Sequence, residues 1–145
     1  MKRLIAILIL AAAAAGCAST RLSDAEQLAM YREHAGESVK DFHYFGSLNG
    51  WTPLGDRALA VWTRPSQAYL LELMGPCAGL DFALGISVTN QMGMVSTHFD
   101  QVIVHDSNSA IHIPCRIQEI RPLDVKGLRQ AQSELRKAEA VQRQE

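Results

Sequence analysis

Apolar positions along this chain follow different periods in different stretches. Leu4 to Ala15 is an unbroken apolar run. From Ser23 to Gly36 the apolar residues Ala25, Leu28, Tyr31 and Ala35 recur every three or four positions, which marks one face of a helix. Ser23-Asp24-Ala25-Glu26 has the Ser-x-x-Glu form of a capping box. Gly36 is suited to a left-handed helix end. Together these predict a helix over residues 24–35.

From Val39 the pattern turns strand-like. Asp41-Phe42-His43-Tyr44-Phe45 is aromatic, and Asn49-Gly50 signals a hairpin turn leading into Trp51. Residues 58–63 and 67–74 flank Arg64-Pro65-Ser66 and predict a second hairpin, with Tyr69, Leu71 and Leu73 on one face and Glu72 on the other. Gly75-Pro76 stops that strand, and residues 77–84 predict a short helix or loop turn with Leu80 and Leu84 on one side. Ile86 and Val88 open another strand, continued over 92–97 past an irregularity at Gly93. Val102 and Val104 alternate with Gln101 and Ile103, and Asp106-Ser107-Asn108-Ser109 is a turn cluster.

Ile111, Ile113, Cys115 and Ile117 then fall on one face, with His112, Arg116 and Gln118 on the other. Pro122 is expected to end the β region and Asp124 to cap a last helix, with Val125, Leu128, Ala131, Leu135 and Ala138 as its stripe, fraying after about residue 138. Several short strands joined by tight turns, with a helix at each end, predict an α+β fold. Its mostly antiparallel strands form a small barrel or roll. Residues 23–141 make one domain and 142–145 a frayed tail.

The apolar run near the start changes the picture. Lys2 and Arg3 precede it, and Gly16-Cys17 closes it with small residues, the layout of a secretory signal. The run is 12 residues long (4–15), against about 20 for a spanning helix. Ala14-Ala15-Gly16-Cys17 resembles the lipobox of bacterial lipoproteins, with Ala14 where that family most often has Leu. The resemblance implies cleavage after residue 16 and lipidation of Cys17, with ordinary signal cleavage around Ala15 as the competing reading. It also implies, through Ala18 in the sorting position, the outer membrane of a diderm cell, with the domain on the periplasmic face. Residues 1–16 are then the leader and 17–22 the tether.

Removal of the leader takes two of the 14 basic residues, leaving 12 against 15 acidic ones. A mildly acidic domain has no electrostatic reason to seek nucleic acid. Cys77 and Cys115 remain, in an oxidising compartment where leftover thiols pair. A redox or metal role for them lacks any Cys-x-x-Cys spacing.

No cofactor motif is present: there is no Gly-Lys-Ser/Thr phosphate loop and no His-Glu-x-x-His. Gly85-Ile86-Ser87-Val88-Thr89 lacks the last glycine of a hydrolase elbow. His98, His105 and His112 are weak metal-ligand candidates, because a separation of seven alternates faces along one strand. Phe42, Tyr44, Trp51, Trp62 and Tyr69 are either core or the lining of a ligand cavity, and core is favoured in a barrel this small.

The central segment is similar to a set of short proteobacterial lipoproteins carrying a domain of unknown function. The similarity spans residues 38–121 and rests on Trp51, the run 58–63, Tyr69-Leu70-Leu71, Cys77 with Leu80, Phe99-Asp100-Gln101-Val102, and Cys115-Arg116-Ile117 with Ile120. It implies an exported, disulfide-linked domain and no particular activity. The expectation is a membrane-tethered, non-enzymatic accessory domain with an envelope protein as possible partner. The alternatives are a small-ligand or metal-binding lipoprotein and, third, an envelope hydrolase.

Overall fold

The computed structural model describes residues 21–106 and 112–144. The leader, Cys17, Ile111, the turn residues 107–109 and Glu145 lie outside the described residues. Helix α1 (Asp24–Glu33) begins as the capping box requires. The Glu26 backbone N–H donates to Ser23 Oγ at 3.3 Å, and the Ser23 N–H donates to the Glu26 carboxylate at 2.8 Å. Two otherwise unpaired donors of the first turn are satisfied this way. The helix stops at Glu33, and Gly36 is not its left-handed cap. Gly36 instead runs against β8 (Cys115–Leu123), where its N–H donates to the Pro122 carbonyl at 2.8 Å. A Cβ there would lie 3.3 Å from the proline ring, so the glycine serves close approach.

Six antiparallel strands form one curved sheet, a half-barrel. It contains β2 (Gly50–Pro53), β3 (Ala58–Arg64), β4 (Gln67–Leu73), β8, β7 (Gln101–His105) and β5 (Gly85–Val88), in that spatial order. A two-stranded ribbon of β1 (Asp41–His43) and β6 (Met94–Ser96) covers part of one face. Helices α1 and α2 (Val125–Gln142) cover the other. The α+β expectation holds.

The expected hairpin appears as β3–β4, turning at Pro65-Ser66. Tyr69, Leu71 and Leu73 do share one face, packing with Phe42, Val61, Val95, Val102, Ile117 and Ile120. The opposite face is a second core rather than solvent: Ala58, Ala60, Ala68 and Leu70 meet Tyr31, Leu123, Val125 and Leu128. Central strands buried on both sides read as continuous apolar runs, which accounts for the lack of alternation from Ala58 to Val61.

Several expectations are corrected. Asn49-Gly50 is not a hairpin turn: β1 pairs with β6, and Asn49 N–H donates to Trp62 O at 2.7 Å as β2 joins β3. The actual β2–β3 turn is Leu54–Arg57, with Gly55 at φ 89°. Gly93 is no bulge. With Met92 it forms a two-residue turn, both at positive φ (51° and 79°), between Gln91 and Met94, as a type I′ turn requires. Residues 112–114 lie outside β8, leaving Ile113 exposed. Gln118 is the extra residue of a bulge, since Leu73 faces Ile117 while Glu72 faces Glu119. The bulge restores Ile120 to the face of Ile117.

Pro122 lies within β8, opposite Tyr69, rather than ending the β region. Its carbonyl points toward Gly36. In an extended strand N and O of one residue point to the same side, so the missing N–H costs β4 nothing. Asp124 caps α2, accepting from Gly127 N–H at 3.1 Å. The helix persists to Gln142, past the expected fraying at 138, although Val125 and Leu128 are its buried residues.

Candidate functional site

Cys77 and Cys115 are joined, 38 residues apart in sequence. The bond ties the connection after β4 to the start of β8, and Cys77 is wholly buried in the core beside Leu80. The N–H of Cys77 donates to the carbonyl of Asp56 at 2.7 Å, so the bridge also meets the β2–β3 turn.

The three histidines do not act together. His98 precedes β7, at φ 66°, with its N–H bonded to Ile117 O at 2.8 Å. His105 ends the same strand and meets His112, with ring centroids 5.1 Å apart. Ser87, on the neighbouring β5, places Oγ 2.6 Å from His105 Nε2. This contact was missed in the sequence because it depends on the register in which Gly85 faces His105. His112 Nδ1 lies 3.0 Å from the carbonyl of Val104. A carbonyl only accepts, so Nδ1 carries the proton and Nε2 is left with its lone pair in the neutral ring. Ser87, His105 and His112 thus form a small polar cluster at the β5 edge of the six-stranded sheet, with Ser87 and His112 exposed. Two imidazoles are a partial ligand set for a borderline metal. No group of three or more His, Cys, Asp or Glu among the described residues is placed to hold one.

Among the described residues, Asp100 is the buried carboxylate. It accepts from Thr89 Oγ1 at 2.8 Å and from Ser96 N–H at 2.7 Å, and the Asp100 N–H returns to Ser96 O at 3.0 Å. It is therefore a satisfied organiser of the β6–β7 connection. The aromatics fill cores. Phe42 stacks on Tyr69 at 4.5 Å, and Tyr31 meets Trp62 edge-on at 6.5 Å.

Among the described residues, two of the clefts open to solvent border α1. One of about 430 Å³ runs between the helices and is lined by Leu22, Met30, Tyr31, Gln132 and Leu135. The other, about 400 Å³, lies where the start of α1 meets the β2–β3 turn and the 3-10 turn Leu80–Phe82. It holds Asp24, Asp56 and Asp81. Desolvation, reinforced by the charges of Asp24 and Asp56, holds the Asp81 carboxyl above the ordinary aspartate range. Leu80 is buried there while Leu84 is exposed, so the two are not on one side as the sequence suggested.

The model of one protein family, described as a family of unknown function (DUF6491), matches residues 1–139. No curated protein and no solved structure matches the chain.

Proposed function

The chain belongs to that family of unknown function, and from this premise we propose that it is a membrane-anchored envelope lipoprotein whose domain serves as a non-enzymatic accessory or interaction module. In this reading residues 1–16 are removed, Cys17 carries lipid, and the domain faces the periplasm, most naturally from the outer membrane. The observation that carries it is the Cys77–Cys115 bond. Stable structural disulfides belong to oxidising compartments, so the bond agrees with the export signal read at the other end of the chain.

Replacing Cys17 tests the reading. The Cys17→Ser variant should leave the membrane fraction, while the wild-type chain stays in it through alkaline and high-salt washes. Equal retention of both would remove lipidation as the anchor.

The second reading, metal or small-ligand binding, is favoured by one specific observation: His105 and His112 come together. Titration of the full chain with zinc and copper would show a site that His112→Ala abolishes. Identical heats for variant and wild type would end this reading. The hydrolase alternative would centre on Ser87 and His105. That pair sits on an open strand edge and lies outside both clefts described above.

A further inference from the structure

We propose that the tip of the β1–β6 ribbon binds a soft monovalent metal ion, Cu(I), through the imidazole of His43 and the thioethers of Met94 and Met92. The site is separate from the His105–His112 pair and goes beyond the lipoprotein reading, on which it does not depend. His43 and Met94 stand opposite each other across the ribbon. Tyr44 N–H donates to Gly93 O at 2.8 Å and Thr97 N–H to Lys40 O at 2.9 Å. Hydrogen-bonded pairs alternate with non-bonded ones along an antiparallel ladder, so His43–Met94 is a non-bonded pair. Such pairs bring side chains closest, with Cβ atoms roughly 4.5–5.5 Å apart. Phe42 and Val95, the neighbouring pair, turn into the core, which puts His43 and Met94 together on the outer face.

The turn supplies the third donor. Gln91 and Met94 exchange backbone hydrogen bonds of 2.9 and 3.0 Å, with Met92 and Gly93 between them. Met92 holds φ 51°, where asparagine, aspartate or glycine is the usual occupant. Its side chain is fully exposed. A thioether is thus kept at the tip against backbone preference and with no packing role, which points to a use for it. Methionine is unbranched with three rotatable bonds, so the Met92 sulfur is free to close on an ion held by the pair beside it. The His43 ring stacks beside Phe45, centroids 6.3 Å apart. Among the described residues, no hydrogen bond engages either of its nitrogens.

Donor chemistry selects the ion. No three His, Cys, Asp or Glu among the described residues gather to hold a metal, so the tip lacks the set that zinc requires. Thioethers are soft ligands and favour Cu(I). Nearby charges are of both signs. The Arg64 guanidinium lies 4.5 Å from the Phe45 centroid, and Asp41 is on the same face of β1 as His43.

The test uses the full chain with Cys17→Ser throughout, so that no free thiol competes for the ion. Its methionine methyl groups carry carbon-13, and Cu(I) is added in the absence of oxygen. The signals of Met92 and Met94 should move together up to one equivalent, while those of Met30 and Met74 stay in place. Zinc should move none of them. Met92→Leu, Met94→Leu and His43→Ala should each weaken Cu(I) binding roughly tenfold or more, read by competition with a chromogenic chelator. None of these three residues belongs to either core, so the variants keep the fold. His112→Ala should leave the affinity unchanged. Shifts at Met74 equal to those at Met92, wild-type affinity in His43→Ala, or loss of binding in His112→Ala would overturn the proposal. Such a result would leave the lipoprotein reading standing, because Cys17 takes no part in the site.

Discussion

Folding alters the chemistry of Asp81. Its carboxyl titrates above its ordinary value because the cleft desolvates it and Asp24 and Asp56 stand nearby. A raised folded-state value means that the folded chain holds this proton more tightly than the unfolded chain. The associated stability is fully present below the unfolded pKa and is lost as pH rises through the folded one. Asp81→Asn should therefore raise the melting temperature at pH 7, with the gain fading below roughly pH 4. A melting curve unchanged at neutral pH would contradict this. Glu26 has the opposite sign: its bonds to the Ser23 backbone and side chain lower its pKa. Its contribution is present above the unfolded value and disappears as pH falls through the folded one, so Ser23→Ala should lose stability at pH 7 and very little in strong acid. Cys77→Ala removes a cross-link with a sequence separation of 38, worth about 4 kcal/mol in the chain-entropy model. Oxidised wild type and variant melting at the same temperature would refute a structural role.

At the scale of elements, stability concentrates where β3 and β4 are covered on both faces. Leu71, wholly buried, packs in the core beneath the β1–β6 ribbon. Leu71→Ala should cost roughly 2–5 kcal/mol, measured by urea denaturation. Pro122→Ala should cost less than about 1 kcal/mol, because the residue turns its polar groups away from β4. A loss as large as that at Leu71 would mean that the proline ring packs as a core group.

The same contrast explains what was legible beforehand. The capping box at Ser23, the Asp124 cap and the β3–β4 hairpin are built from neighbours in sequence, and each was readable. Partners distant in sequence were not. Nothing local distinguishes Asn49-Gly50 from a true hairpin turn, since whether Phe42 pairs forward to Trp51 or onward to Val95 is decided by the core. The Gln118 bulge and the position of Pro122 inside a strand follow from the partners of β8, two strands and the 35–39 segment. At the candidate site, His105 and His112 were visible as residues. Their meeting, and the approach of Ser87, awaited the register of β5 on β7.

At the scale of the whole molecule, two cores share one half-barrel sheet, a disulfide closes one end, and α1 starts at that same end. No helix among the described residues is long and apolar enough to cross a membrane, and in the proposed reading attachment rests on Cys17. The pairing of Cys77 with Cys115 was foreseeable from compartment and count, whereas the exposure of Phe82 and Leu84 was not, because the apolar spacing alone placed Leu84 beside Leu80. The most direct measurement is the intact mass of the chain recovered from its own cell membranes, taken with and without reductant. The account predicts a chain beginning at residue 17, carrying a diacylglyceryl group and one further acyl chain, that gains two hydrogens on reduction. An intact leader, a bare thiol at position 17, or a mass that reduction leaves unchanged would contradict it.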